Sequence, residues 1–228
     1  MTPPAPEAAT VIALIGNPNT GKSTLFNALT GLRQKTANYP GVTVERHTGE
    51  IVLAGQPVTL VDLPGAYSLA AQSPDEMVAI DVLLGHVTDL PRPRAVLAVV
   101  DATNLRRNLF LVTQLAELGL PLVVALNVSD VAESRGIRID TAELGRQLGA
   151  TVVRVSAARE TGLPELRAAL EQAIAAPAPP ALRVLPEVGA AAAELGQRLR
   201  TAGLHLLDYE VERALIDAQG VAERRFEM

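Results

Sequence analysis

With 228 residues, 48% of them hydrophobic, the chain is long enough to bury a substantial core and reads as one large domain, or one with a small appendage. A net charge of −5 argues against a broad nucleic-acid footprint, and the absence of cysteine excludes disulfides and thiolate metal sites. Three scattered histidines (His47, His86, His205) read as surface or core residues, and no apolar run is long enough to span a bilayer.

Residues 1–10 are rich in Pro and Ala and are expected to be disordered. They lack the basic start and apolar centre of a signal peptide, so a cytosolic compartment is expected. The apolar run Val11–Gly16 is a strand candidate. Directly behind it stands Gly16-Asn17-Pro18-Asn19-Thr20-Gly21-Lys22-Ser23, a complete G-x-x-x-x-G-K-[ST] phosphate-binding loop. Gly16 and Gly21 let the backbone wrap phosphate oxygens. Lys22 supplies a point charge between the β- and γ-phosphates, and Ser23 offers a hydroxyl to Mg²⁺. A helix over Lys22–Thr30 aims the free N–H groups of its first turn, Ser23 and Thr24 included, at the same anion. The chain has two lysines against eighteen arginines, yet this position holds the compact ammonium.

Tyr39-Pro40-Gly41-Val42-Thr43 falls in the loop before a second strand, Val42–Leu53. A threonine here completes a Mg²⁺ shell when triphosphate is bound and lets go afterwards, an order-to-disorder switch. Ala54-Gly55-Gln56 reads as a hairpin turn, making the strand Pro57–Asp62 an antiparallel neighbour. That strand ends in Asp62-Leu63-Pro64-Gly65: the aspartate holds Mg²⁺ through water, and the Gly65 N–H senses a γ-phosphate. Helix Pro74–Leu84, strand Ala95–Asp101, helix Leu105–Leu118 and strand Leu120–Asn127 follow; Arg106-Arg107 reads as a solvated face. Asn127-Val128-Ser129-Asp130 stands at a strand end. A carboxylate such as Asp130 accepts from the N1–H and 2-amino group of guanine, donors that adenine lacks. Helix Thr141–Leu148, capped by Asp140, leads to strand Thr151–Ser156. Behind it comes Ser156-Ala157-Ala158, where the Ala157 N–H can donate to guanine O6. Helix Leu163–Ala175 closes an alternating α/β pattern with a mostly parallel sheet and one antiparallel edge strand. Its ligand loops sit at strand C-termini, where open α/β sheets bind ligands. The Pro-rich stretch 177–181 reads as a linker between a domain at 11–176 and a small helical domain at 182–228, with helices Pro186–Thr201 and Leu206–Ala218.

The order phosphate loop, Thr43, D-x-x-G, N-x-x-D, S-A resembles the five boxes of the translation-factor-like class of small GTPases, which implies a P-loop NTPase fold of the Ras-like G-domain kind. The longer strings Ile15–Asn27, Asn38–Glu45, Asp62–Leu69 and Val100–Leu109 resemble the cytosolic N-terminal part of the bacterial ferrous iron transport protein B family. That resemblance spans residues 11 to 175. It implies GTP binding and hydrolysis on Mg²⁺, on the cytoplasmic side of the bacterial inner membrane, with the transmembrane region of a longer protein as partner. It also implies a K⁺ ion held by Asn19 beside the phosphates. Lys22, Thr43, Gly65 and Asn19 are then the catalytic candidates. Ala66 stands where Ras-like enzymes place a water-orienting glutamine, so hydrolysis is expected to be slow. Val128 replaces the usual lysine of N-K-x-D, so nucleotide release is expected to be fast. The oligomeric state is open, a homo-oligomer included, and a nucleic-acid partner is not expected. Two other readings stay open: a ribosome- or tRNA-associated GTPase, against which the mixed charges of the tail (Arg198, Arg200, Arg213; Glu194, Asp208, Glu210, Glu212) count, and a non-catalytic guanine nucleotide sensor.

Overall fold

The computed structural model describes residues 10–31, 34–40, 42–70, 73–182, 186–204, 206 and 208–216. Residues 1–9, Gly41, His205 and the last twelve residues, and with them the expectations placed there, lie outside the described residues.

Apolar alternation builds the centre. In β1 (Val11–Gly16), Val11, Ala13 and Ile15 face one side of the sheet while Ile12 and Leu14 face the other. The same split runs through β5 (Ala95–Asp101) and β6 (Leu122–Asn127), whose residues are buried almost throughout, the pattern of parallel strands covered on both faces. Helices α1 (Lys22–Thr30) and α6 (Leu163–Ala175) cover one face with Leu25, Phe26, Leu29, Leu166 and Leu170. Helices α2 (Pro74–Leu84) and α3 (Leu105–Ala116) cover the other with Val78, Leu83, Leu111 and Leu115.

The remaining strands are β2 (Gln34–Asn38), β3 (Glu45–Leu53), β4 (Gln56–Asp62) and β7 (Thr151–Arg154), giving the order β2-β3-β4-β1-β5-β6-β7. β3 runs antiparallel to β4, through a two-residue turn in which Ala54 (φ 49°) and Gly55 (φ 76°) both take the positive φ that a type I′ hairpin requires. The expected second strand begins at Glu45 instead of Val42, and an unexpected strand, β2, pairs antiparallel along its outer edge. All five β2 residues are polar or small and exposed, so backbone pairing alone makes this strand. Thr43 therefore sits in the β2–β3 connection.

α4 (Ser129–Ser134) is a short helix not expected from the sequence, α5 (Thr141–Leu148) is capped by the Asp140 carboxylate at 3.0 Å from the N–H groups of Ala142 and Glu143, and β7 stops two residues before Ser156. The Arg94 guanidinium donates to the carbonyls of Ile174 (2.9 Å) and Ala176 (2.8 Å), tying down the C-terminal end of α6. Beyond it, α7 (Pro186–Thr201) and α8 (Asp208–Ile216) pack together. α8 docks through buried Tyr209, which joins the α2–α3 core, and through an Arg213–Glu117 ion pair at 2.6 Å. No helix among the described residues is long and apolar enough to cross a membrane.

Candidate functional site

The parallel strands β1, β4 and β6 end on the same rim of the sheet, and each releases its motif there. Gly16 closes β1 against β5: a Cβ on it would lie 2.6 Å from the Val99 carbonyl oxygen, so the loop leaves the sheet at a place only glycine fits. The loop then folds back through Thr20, whose hydroxyl donates to the Asn17 carbonyl at 2.9 Å. Asn19 (φ 66°) and Gly21 (φ 80°) take the left-handed region, which Asn tolerates and Gly occupies freely. Pro18 and Asn19 are exposed at its tip. The Asn17 side-chain nitrogen is buried within the loop and has no hydrogen-bond partner. It is a donor, so the missing partner is an acceptor such as a phosphate oxygen.

From the first turn of α1, the Lys22 ammonium pairs with the Asp62 carboxylate, which enters from the end of β4. Ser23 and Thr24 are exposed in that turn. The D-x-x-G segment is strapped to the phosphate loop: Leu63 N–H donates to Leu14 O (2.9 Å) and Ala66 N–H to Gly16 O (3.2 Å). Pro64 and Gly65 lie between those straps, and the Ala66 methyl is buried. Further along, the Leu69 N–H donates to the buried Gln114 side chain of α3 at 2.7 Å. No motif flags Gln114; in the sequence it is one polar residue on an amphipathic helix.

Asn127 links this phosphate half to a second cluster. It is 3% exposed; its Nδ2 donates to Thr20 O at 2.9 Å and its Oδ1 accepts from Ala157 N at 3.0 Å. A Cβ on Gly21 would come within 2.4 Å of the same Nδ2, so any side chain at position 21 would push this asparagine out of place. The Ala157 N–H, expected to be free for a base oxygen, is engaged by Asn127, and a base oxygen would share it. Exposed Ala158 follows in a 3-10 turn over Ala157–Arg159.

Val128 takes φ 60°, a left-handed conformation that a β-branched residue rarely adopts, and this turns the chain into α4. Ser129 secures the turn through its hydroxyl on Val155 O at 2.8 Å. Asp130 lands in the first turn of α4, its carboxylate 2.9 Å from the Arg159 guanidinium. The buried Ser156 hydroxyl does most to hold Asp130 below the usual carboxylate range; desolvation opposes it to a lesser degree, and Arg159 and the local backbone N–H groups add smaller lowering effects. Asp130 is thus an ionised acceptor at neutral pH.

Thr43 lies at this same end of the sheet, in the β2–β3 connection beyond the Asp62 end of β4, towards the sheet edge. It is exposed and borders a hollow of about 800 Å³ with Tyr39, Pro40, Val42, Val44 and Asp75. Tyr39 is buried there, its phenol raised well above the ordinary value by burial, with Arg46 pulling it down and Asp62 and Asp89 pushing it up. A comparable groove of about 790 Å³, between α5, the end of α6 and the starts of β6 and β7, lies at the opposite ends of the strands and contains no motif residue.

Comparison with known proteins gives a consistent relationship. A family model described as ferrous iron transport protein B matches residues 10–170. The Fe(2+) transporter FeoB of Salmonella typhimurium is 48% identical over 165 residues, 71% of this chain and 21% of the transporter. That of Legionella pneumophila is 47% identical over 161 residues, 69% of this chain and again 21% of the transporter. The chain thus spans about 21% of the length of the transporters it matches. Among solved structures, the cytosolic domain of L. pneumophila FeoB superposes with a TM-score of 0.80 at 39% identity, covering 95% of this chain and 85% of that one. The cytosolic domain of the T. maritima FeoB iron transporter in a GDP form gives 0.84 at 32% identity, covering 98% and 85%.

Proposed function

This chain belongs to the ferrous iron transport protein B family, and from that premise we propose that it is a guanine-nucleotide switch that binds and slowly hydrolyses GTP to control ferrous iron uptake by a longer membrane protein. We divide it into a G domain over 11–176, a linker over 177–181 and a helical domain from 182 onward. Its place is the cytoplasmic side of the bacterial inner membrane, with the transmembrane region of the longer protein as partner.

One observation carries the reading: Asn127 bonds at once to the phosphate loop and to the S-A segment, so one buried side chain sets the spacing between a phosphate grip and a base-reading carboxylate. The T. maritima and S. thermophilus structures described as GDP-bound, at 32% and 36% identity, support a nucleotide as the ligand of that rim. Nucleotide phosphates would draw Lys22 from Asp62, meet the orphaned Asn17 amide and take the N–H groups of Gly21 to Thr24. Guanine would set its N1–H and 2-amino group on Asp130.

The oxygen donors freed on that side suit a hard cation. Ser23, Asp62 and, in the triphosphate state, Thr43 would hold Mg²⁺, whose role when bound is to neutralise phosphate charge. Asn19, at the exposed tip of the loop, would hold K⁺ through its amide oxygen. Bringing Thr43 from the β2–β3 connection to the phosphates is then the switch. Ala66 has its N–H on Gly16 and only a methyl as side chain, so it cannot orient water; attack relies on the Gly65 N–H and the surrounding charge, which makes turnover slow.

Isothermal titration tests the reading. GDP should bind at least about tenfold more tightly than ADP, because adenine leaves the Asp130 carboxylate without its donors. Equal affinities would reject it.

A further inference from the structure

We propose that Arg159 gates the base pocket, occupying the guanine-reading edge of Asp130 until a guanine displaces it. The inference rests on the reading of Asp130 as the base receptor.

Guanine offers two adjacent donors, and a carboxylate meets them with one oxygen each. In this structure the Asp130 Oδ2 is already taken, 2.9 Å from Arg159 Nε. The carboxylate itself is sheltered in the first turn of α4, 19% exposed. Base and guanidinium therefore compete for one of its oxygens.

The two partners are anchored differently. The Arg159 backbone belongs to the short turn Ala157–Arg159, which Asn127 pins through the Ala157 N–H and which closes on Glu160 at φ 54°. The side chain, by contrast, is 70% exposed. Only the guanidinium has to move, and it moves into water. The neighbouring arginine, Arg154, is occupied elsewhere, 3.1 Å from Glu133. The gate is a side-chain rotation on a fixed base.

An exposed ion pair of this kind shifts a competing equilibrium by about two- to fivefold. A closed pair lowers the fraction of protein able to receive a base, so the apparent association rate falls by that factor. Once guanine is seated the pair is already broken, and dissociation is unaffected. Salt screens the pair, so the gate weakens as ionic strength rises.

Stopped-flow binding of a fluorescent ribose-labelled GDP to the 228-residue chain tests this. Arg159→Ala and Arg159→Gln should each raise the association rate by about two- to fivefold at low salt with the dissociation rate unchanged. The ratio to the parent protein should fall towards one at about 1 M NaCl. Unchanged association, a ratio indifferent to salt, or faster dissociation of the variants would each overturn the gate; the last would mean that Arg159 grips the bound base. Asp130→Asn separates this from the premise, because an asparagine amide donates to the 2-oxo group of xanthine. A switch from GDP to xanthosine diphosphate keeps the base-pocket reading whatever Arg159 does. Retained preference for GDP removes that reading and the gate with it.

Discussion

Replacing Asn127 by alanine cuts the tie between the two halves of the site, and the structure sets the cost. Two hydrogen bonds are lost, to Thr20 O at 2.9 Å and from Ala157 N at 3.0 Å, at a residue 3% exposed. Each is worth about 1 kcal/mol net, and stranding a buried carbonyl and a buried N–H adds desolvation, so the total is about 2–5 kcal/mol. For a domain of this size that lowers Tm by about 5–15 °C. GDP binding should weaken as well, since phosphate grip and base pocket are no longer held in register. Asn127→Asp is the sharper control. It keeps an acceptor for Ala157 but sets an oxygen against the Thr20 carbonyl, so it should rescue neither stability nor binding. Thermal unfolding followed by circular dichroism, with titration calorimetry on the same samples, reads both effects. A Tm within about 2 °C of the parent, or full rescue by aspartate, would refute the linkage.

Three further outcomes follow from the same geometry. Val128→Asn relieves a β-branched residue at φ 60° and should stabilise the fold by about 1 kcal/mol, seen as a rise in the urea midpoint; an unchanged or lower midpoint would mean that the turn carries no strain. Asp130 has a depressed pKa, so its charged form is kept above the folded-state value and lost only as pH falls through it. The ratio of GDP to ADP affinity, in which phosphate titration cancels, should therefore stay flat from pH 8 down to about 4.5, and a collapse between about pH 6 and 5 would contradict the assignment. Asn19→Ala should erase any advantage of K⁺ over Na⁺ in single-turnover phosphate release while GDP still binds; a surviving K⁺ advantage would remove Asn19 from the mechanism.

Much of the fold was legible because burial writes periodicity into sequence. Val11–Gly16 and Ala95–Asp101 stand out as unbroken apolar runs, and they are strands with those bounds. The longer strings around the motifs, Ile15–Asn27 and Asp62–Leu69 among them, carry the resemblance to the family to which the chain belongs. The parts that escaped have no such signal. Gln34–Asn38 buries nothing, so β2 follows only from the free edge of β3. α4 is six residues long, and its start depends on a left-handed valine that propensity would never suggest. Within the candidate site, the phosphate loop and Asp130 could be named from spacing, because each belongs to a motif with a fixed residue pattern. Other polar contacts on this rim carry no such pattern. Gln114 and Arg159 look like ordinary polar positions, and only the folded chain brings them to Leu69 and Asp130. The S-A motif marks Ala157, but spacing does not show that its N–H is engaged by Asn127, a contact between residues thirty positions apart.

A crystal structure of the chain with a non-hydrolysable GTP analogue and Mg²⁺ tests the central claim most directly. The account predicts the guanine edge within hydrogen-bonding distance of both Asp130 oxygens, with Lys22 moved from Asp62 onto the phosphates. A base seated away from Asp130, or a nucleotide bound with the Lys22–Asp62 pair intact, would contradict it.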